Sequence, residues 1–240
     1  MKDWLDIIKE SHIDLLNTHP RSNEKLKAPH QWIKEKVKSL LRDGFEIVSL
    51  DKNRDLSREE KVKGRYYDKD VDICILKDNK PVGVIAFKFI SSNYSQNSNN
   101  YFENMIGECF NIQKADIPFC HILVIRDKIP YYNNEKVVQK YERMTQHNID
   151  KYIKLLKDTD KAIPVKFSLS IVSLKGDEIN GDIIHPSKFK KMDESQKKKI
   201  IDSLKVEYSN NGDYNKETQE LLKNMEINKI LKEFVKEFIL

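Results

Sequence analysis

The sequence predicts an α/β fold, a mixed central sheet flanked by helices. Several short runs are rich in β-branched residues, and the stretches around them place apolar residues at helical spacing. Composition permits such a fold: of 240 residues, 39% are apolar and 34% charged, enough apolar matter for a core. No run of eighteen apolar residues occurs, so neither a membrane-spanning helix nor a membrane partner is expected. The N-terminal MKDWLDIIKESH breaks up its apolar residues with charges, unlike a signal peptide, and a cytoplasmic location is expected. Cys74, Cys109 and Cys120 are widely spaced in apolar surroundings and read as small buried hydrophobes, not zinc ligands.

Taken in order, residues 29–42 read as a helix with Trp32, Ile33, Val37, Leu40 and Leu41 on one face, stopped by Asp43-Gly44. FEIVSL from Phe45 follows as a strand. The charged stretch 51–67 reads as an exposed loop with room for a short helix at SREEKVK. VDICIL (71–76) and PVGVIAFKFI (81–90) flank a short polar turn and form a hairpin signal. SSNYSQNSNN (91–100) reads as a polar loop, and a helix begins at Tyr101. PFCHILVIRD (118–127) is a strand buried on both faces. A long amphipathic helix is expected over 134–157, a strand over 165–174, and helices near 194–206 and 216–238. Residues 1–180 are thus expected as the core with its N-terminal helices, and 181–240 as a C-terminal helical extension packed on it.

Alternation puts Asp70 and Asp72 on one face of the first hairpin strand, and Val84, Ala86 and Lys88 on one face of the second. Residues two apart lie roughly 7 Å apart along a strand and neighbouring strands about 5 Å apart, so Asp72 and Lys88 can face a common point. Lys88 is flanked by Phe87, Phe89 and Ile90, where an ammonium is costly unless paired or reaching water. Plainer readings are an edge-strand lysine or an Asp72–Lys88 salt bridge.

Asp72, then a hydrophobic strand ending in Ala86-Phe87-Lys88, resembles the core of the PD-(D/E)XK nucleases. FKFISSNYSQNSNNYFENMIGE (87–108) is similar to type II restriction endonucleases of the XhoI type, which follow the core strand with an Asn-rich loop and an acid-bearing helix. The resemblance implies a restriction-endonuclease-like core and Mg²⁺-dependent, sequence-specific cleavage of double-stranded DNA. It further implies a twofold homodimer and a cognate DNA methyltransferase as genetic partner. Asp72 and residue 86 would be metal ligands, with the Phe87 backbone carbonyl as a further donor. Lys88 would orient the attacking water, and Glu35 would be an outer carboxylate from the first helix.

Ala86 departs from the pattern, since its side chain offers no oxygen. An engineered replacement, natural degeneration and a migrated acid each account for it. The first is adopted here because the rest of the motif is intact, so a catalytically inactive variant is expected. Asp70 is the alternative to Asp72, and Glu103 and Glu108 are further candidate acids, ranked after them because acids are common on helix surfaces. The alternative is a non-enzymatic DNA-binding protein on a degenerate nuclease fold. Base reading is assigned to Asn93, Tyr94, Gln96, Asn97, Asn99 and Asn100, because Asn and Gln suit adenine edges. The Lys/Arg-bearing segments 52–65 and 188–199 are candidates for phosphate contact. The net charge of +5 permits such a partner without requiring it. His30, His121 and His185 are isolated and read as structural or surface residues. No phosphate-binding glycine loop or nucleophile elbow occurs.

Overall fold

Eight consecutive buried residues, Phe119–Arg126, mark the centre of the sheet, as a strand covered on both faces requires. The computed structural model describes residues 2–52, 58–158, 162–209 and 214–240. In chain order the helices are α1 (Trp4–Asn17), α2 (Glu24–Lys38), α3 (Tyr94–Gln113), α4 (Gln146–Leu156), α5 (Pro186–Phe189), α6 (Glu194–Ser203), α7 (Lys216–Asn224) and α8 (Ile227–Phe234). A π-helical turn, Val235–Ile239, continues the last of them. The strands are β1 (Phe45–Ser49), β2 (Glu60–Lys63), β3 (Asp68–Val71), β4 (Ile73–Lys77), β5 (Lys80–Ile90) and β6 (Phe119–Arg126). They continue with β7 (Lys128–Tyr132), β8 (Val138–Arg143), β9 (Lys166–Lys175), β10 (Glu178–Ile179), β11 (Asp182–Ile183) and β12 (Lys205–Tyr208).

The main sheet has the order β1-β4-β5-β6-β9-β12. Its centre, β5-β6-β9, is parallel, and β1, β4 and β12 join antiparallel, so the sheet is mixed as expected. Alternation sorts the side chains cleanly. Ile85, Phe87, Phe89, Ile122, Val124 and Val172 face α1, α2 and α8, packing on Trp4, Trp32, Ile33 and Phe234. On the other face Val84 and Ala86 pack with Cys109 and Ile112 of α3, and Leu123, Ile125 and Leu169 with Ile149 and Tyr152 of α4. All three cysteines are buried and free. Among the described residues no helix is long and apolar enough to cross a membrane.

The expected hairpin is present as β4–β5. Lys77 pairs with Lys80, and Asp78 and Asn79 both take positive φ (49° and 58°), the two-residue turn that matches strand twist.

Four expectations are corrected. The first core helix begins at Glu24, not at Pro29, which lies inside it. A proline there frees the carbonyl four residues back, and the Ser11 hydroxyl of α1 donates to that Lys25 oxygen at 2.6 Å. The 91–100 segment is not a loop: α3 starts at Tyr94, because burial of Tyr94 overrides the low helix propensity of its Ser and Asn neighbours. Residues 134–157 are not one helix. Val138–Arg143 pairs with Lys128–Tyr132 as a hairpin, and only Gln146–Leu156 is helical. The SREEKVK stretch holds a strand at Glu60–Lys63, paired with β3, whereas residues 53–57 lie outside the described set.

The segment 181–240 is more than a helical extension. It supplies the edge strand β12 and buries Ile227, Ile230, Leu231 and Phe234 in the main core.

Candidate functional site

The ladder between β4 and β5 ends at the pair Ile73–Ile85, while β5 continues along β6 to Ile90. Beyond Ile85, β5 has no β4 partner. Asp72, the one residue between β3 and β4, takes up the free donor there: the Phe87 N–H donates to Asp72 Oδ2 at 2.8 Å. A residue's N–H and C=O leave a strand on the same side, so the Phe87 carbonyl faces this edge too. Its ring packs on the opposite face, against Trp4 and His30.

A cleft of about 400 Å³ opens over this edge. Asp72, Ala86, Phe87 and Lys88 line it together with Glu108 of α3, Lys69 of β3, and Arg21, Asn23 and Lys25 at the start of α2. Lys88 is exposed on β5 beyond its last β4 partner, where that side of the strand is open, so the edge-lysine reading applies locally. Asp72 and Lys88 do not form an ion pair among the described residues; the Lys88 ammonium sits 5.2 Å from the Tyr101 ring centroid. Four cationic side chains against two carboxylates make the cleft positive at neutral pH.

Burial raises the Asp72 carboxyl above its ordinary range, opposed by the Phe87 N–H bond and then by Lys69 and Lys88. Glu108 is pushed up to about 7, first by burial; Lys69 at 3.7 Å draws it back, and the Asp72 charge raises it again. Lys25 is lowered to about 8 by burial and by the Lys88 charge, and its ammonium donates to the Pro20 carbonyl. His121, pushed down to about 3 by burial, lies neutral at the base of the cleft between Phe119 and Phe167.

The Glu108 shift has a consequence for stability. Its folded value lies above the ordinary 4.5, so the folded protein keeps a proton that the unfolded chain releases. The Glu108 contribution to stability therefore falls as pH rises from about 4.5 to about 7 and levels off above, with Asp72 acting in the same direction and the buried neutral His30 and His121 in the opposite one. In urea unfolding across that window the stability of Glu108→Gln relative to the parent is expected to rise with pH; an unaltered difference would refute the assignment.

The other expected site residues lie elsewhere. Glu35 is corrected: Trp32, Ile33 and Val37 turn inward, which leaves Glu35 exposed, accepting from Gln31 at 3.0 Å and away from the cleft. Asn93 is a structural anchor, accepting from Tyr132 N–H at 3.1 Å and donating its own N–H to Pro130 at 3.0 Å. Tyr94 is buried beside Tyr152, and Asn97 donates to the Asn93 carbonyl. Base reading by Asn93, Tyr94 and Asn97 is not what these contacts serve. Gln96, Asn99 and Asn100 are exposed on the first turns of α3 and do not line the cleft. Residues missed from the sequence are Lys25, Lys69 and, as a principal member, Glu108. The signal present was the Ser22-Asn23-Glu24 start of α2, where Glu24 N–H donates to Ser22 Oγ at 3.2 Å, which puts Lys25 in the first turn of the helix.

Mg²⁺ is commonly held by one or two carboxylates, water and substrate phosphate. Asp72, whose Oδ1 has no hydrogen-bond partner among the described residues, and Glu108 fit that donor set, with the Phe87 carbonyl on the same edge. Both carboxyls are raised by burial that the neighbouring lysines do not offset, the condition a bound cation relieves. Among the described residues no group of three or more His, Cys, Asp or Glu gathers as a metal cage. A larger cavity of about 690 Å³ between α4, β9, α7 and α8 is lined mainly by apolar side chains, and its Lys166 is committed to Glu233 and Glu237.

Fold and site together define an α/β protein with an acid–amine cleft at the open edge of a mixed six-stranded sheet. No protein-family model, curated protein or solved structure matches the chain.

Proposed function

We propose that the cleft hydrolyses phosphodiester bonds of DNA with Mg²⁺, and that Glu108 supplies the carboxylate that Ala86 lacks. The observation that carries this reading is the meeting of Asp72, Glu108 and Lys88 in one positively charged cleft. When bound, the metal would lower the pKa of a coordinated water and offset charge on the phosphate. The chain's own residues do the rest. Asp72 and Glu108 hold the cation, and Asp72 is itself fixed by the Phe87 N–H. Lys88, from the same strand, orients water and stabilises charge on the phosphoryl oxygens. Arg21, Lys25 and Lys69 ring the cleft and hold the polyanion. The restriction-endonuclease-like core, recognition of a specific double-stranded sequence, the homodimer and the partner methyltransferase follow from the resemblance and belong to the same proposal.

The reading expects Mg²⁺-dependent nicking or linearisation of plasmid DNA by the chain as it stands. Lys88→Ala should lower the rate by about 10²-fold or more while leaving most of the binding. Absence of cleavage over a range of Mg²⁺ and Mn²⁺ concentrations, with DNA still bound, would favour the second reading, a non-enzymatic DNA-binding protein. What supports that alternative is Ala86 itself, buried at a position where a carboxylate would otherwise reach the cleft.

A further inference from the structure

The hairpin of β2 and β3 ends in a four-residue tip, Gly64-Arg65-Tyr66-Tyr67, closed by Gly64 N–H donating to the Tyr67 carbonyl at 3.2 Å. One side chain holds this tip in place. Asn111 of α3 is buried; its Oδ1 accepts from the N–H of Tyr66 at 2.9 Å and of Tyr67 at 3.4 Å, and its Nδ2 donates to the Tyr67 carbonyl at 3.0 Å. The Asn111 backbone carbonyl accepts from Arg65 N–H at 2.9 Å. The approach is so close that a Cβ at Gly64 would stand 2.1 Å from Asn111 Nδ2. Binding residues are often carried on loops that a rigid scaffold positions.

What the anchor presents is apolar. Tyr66 is 65% exposed and Tyr67 51%, the two most exposed aromatic residues described. Tyr66 lies parallel over Phe110 at 5.9 Å and 15°, so one ring face is supported from below, and Lys114 sits over the same Phe110. The tip carries one cation and no acid, while Asp68 and Asp70 stand opposite Lys63 and Lys61 across the ladder. Two residues past Tyr67, Lys69 already lines the cleft, roughly 7 Å along the strand.

We infer that this tip is a base-stacking platform for an unpaired or turned-out nucleotide of the strand that enters the cleft. Any base offers a π face to a tyrosine ring, and Arg65 and Lys114 suit the adjoining phosphates. The inference rests on the nucleic-acid reading of the cleft and extends it: the substrate would include a nucleotide that is not stacked in a duplex, next to the scissile bond.

The test is equilibrium binding, in EDTA so that no cleavage occurs, of a single-stranded oligonucleotide and its duplex, each carrying one 2-aminopurine. Quenching of that base reports stacking. The full chain is expected to bind the single strand with quenching, and Tyr66→Ala/Tyr67→Ala to weaken binding about tenfold or more and to abolish the quenching. Tyr66→Phe/Tyr67→Phe, which keeps the rings, is expected to restore both. The Ala variant binding and quenching as well as the parent would overturn the platform while leaving the cleft reading intact. Neither probe binding the parent chain would overturn both. A Phe variant as weak as the Ala variant would also count against stacking, since only the hydroxyls differ.

Discussion

Glu108→Gln is expected to reduce Mg²⁺-dependent DNA cleavage by on the order of 10²-fold or more, the scale of losing one charge-stabilising group at a phosphoryl site. The amide keeps the size of the side chain but holds a cation poorly. Loss of activity would not reflect unfolding, because Glu108 is a half-buried carboxyl whose ionisation costs stability, and the neutral amide removes that cost. Ala86→Glu made on top of Glu108→Gln is expected to recover part of the activity. Position 86 lines the same cleft from β5, next to Phe87, whose N–H holds Asp72, so a carboxylate there points at the same cation. Plasmid nicking rates for the four combinations give a cycle whose sign separates the accounts of Ala86. If Glu108 is the working acid, the parent chain cuts, Glu108→Gln does not, and the double variant does. If Ala86 is a disabling replacement, the parent is inert, Ala86→Glu alone gains activity, and Glu108→Gln changes little. Metal uptake should also tighten as pH rises through about 7, where Glu108 loses its proton.

The central sheet and the acid–lysine pair were legible in the sequence for one physical reason. Strand alternation is strictly local, so the spacing of Asp72, Ala86 and Lys88 determines their shared face once the hairpin is recognised. Glu108 was not legible in the same way. On α3 it is one acid among the helix's polar residues, and only the crossover from β5 to β6 turns it over the edge of β4. Lys25 and Lys69 were hidden similarly, the first by reading Pro29 as a helix start, the second by starting the strand at Val71, past most of β3. The Asn-rich stretch misled in the opposite direction. Its polarity suggested a reading head, but Asn93 spends its polar groups on the backbone of β7, and the stretch is helical because Tyr94 is buried against α4. Polar composition indicates solvent only where no tertiary partner waits for the polar groups.

The largest expected effect on stability comes from a buried charge network set among the apolar clusters, with Leu174 and Phe89 beside it. Arg126, at the end of β6, is 1% exposed and makes a two-pronged bond to Asp177, at 2.6 Å to Oδ2 and 2.9 Å to Oδ1. Its second terminal nitrogen also donates to the Leu174 carbonyl at 3.1 Å, and His12 Nε2 of α1 meets Asp177 Oδ2 at 2.9 Å. Burial would push the Asp177 carboxyl up, but the His12 bond and the Arg126 charge hold it well below its usual value. Asp177→Ala removes the only carboxylate, among the described residues, that pairs with a guanidinium cut off from water. The expected cost is about 3–5 kcal/mol, read as a shift in urea midpoint and a melting temperature lower by on the order of 10 °C. Arg126→Met with Asp177→Leu, which removes both charges, should cost much less, because no uncompensated ion is left behind. Equal losses in the single and double variants would show that packing, not charge, governs the site. With its folded value depressed, Asp177 stabilises above the unfolded carboxyl range and loses that contribution as pH falls toward the folded value. The parent should therefore gain more stability from strong acid upward than Asp177→Ala does. Pro20, Ser91 and Ser92 border both the void beside Arg126 and the cleft at Lys88. Loosening this charge network should therefore reach the Lys88 rim, and Asp177→Ala should lose cleavage activity before it unfolds.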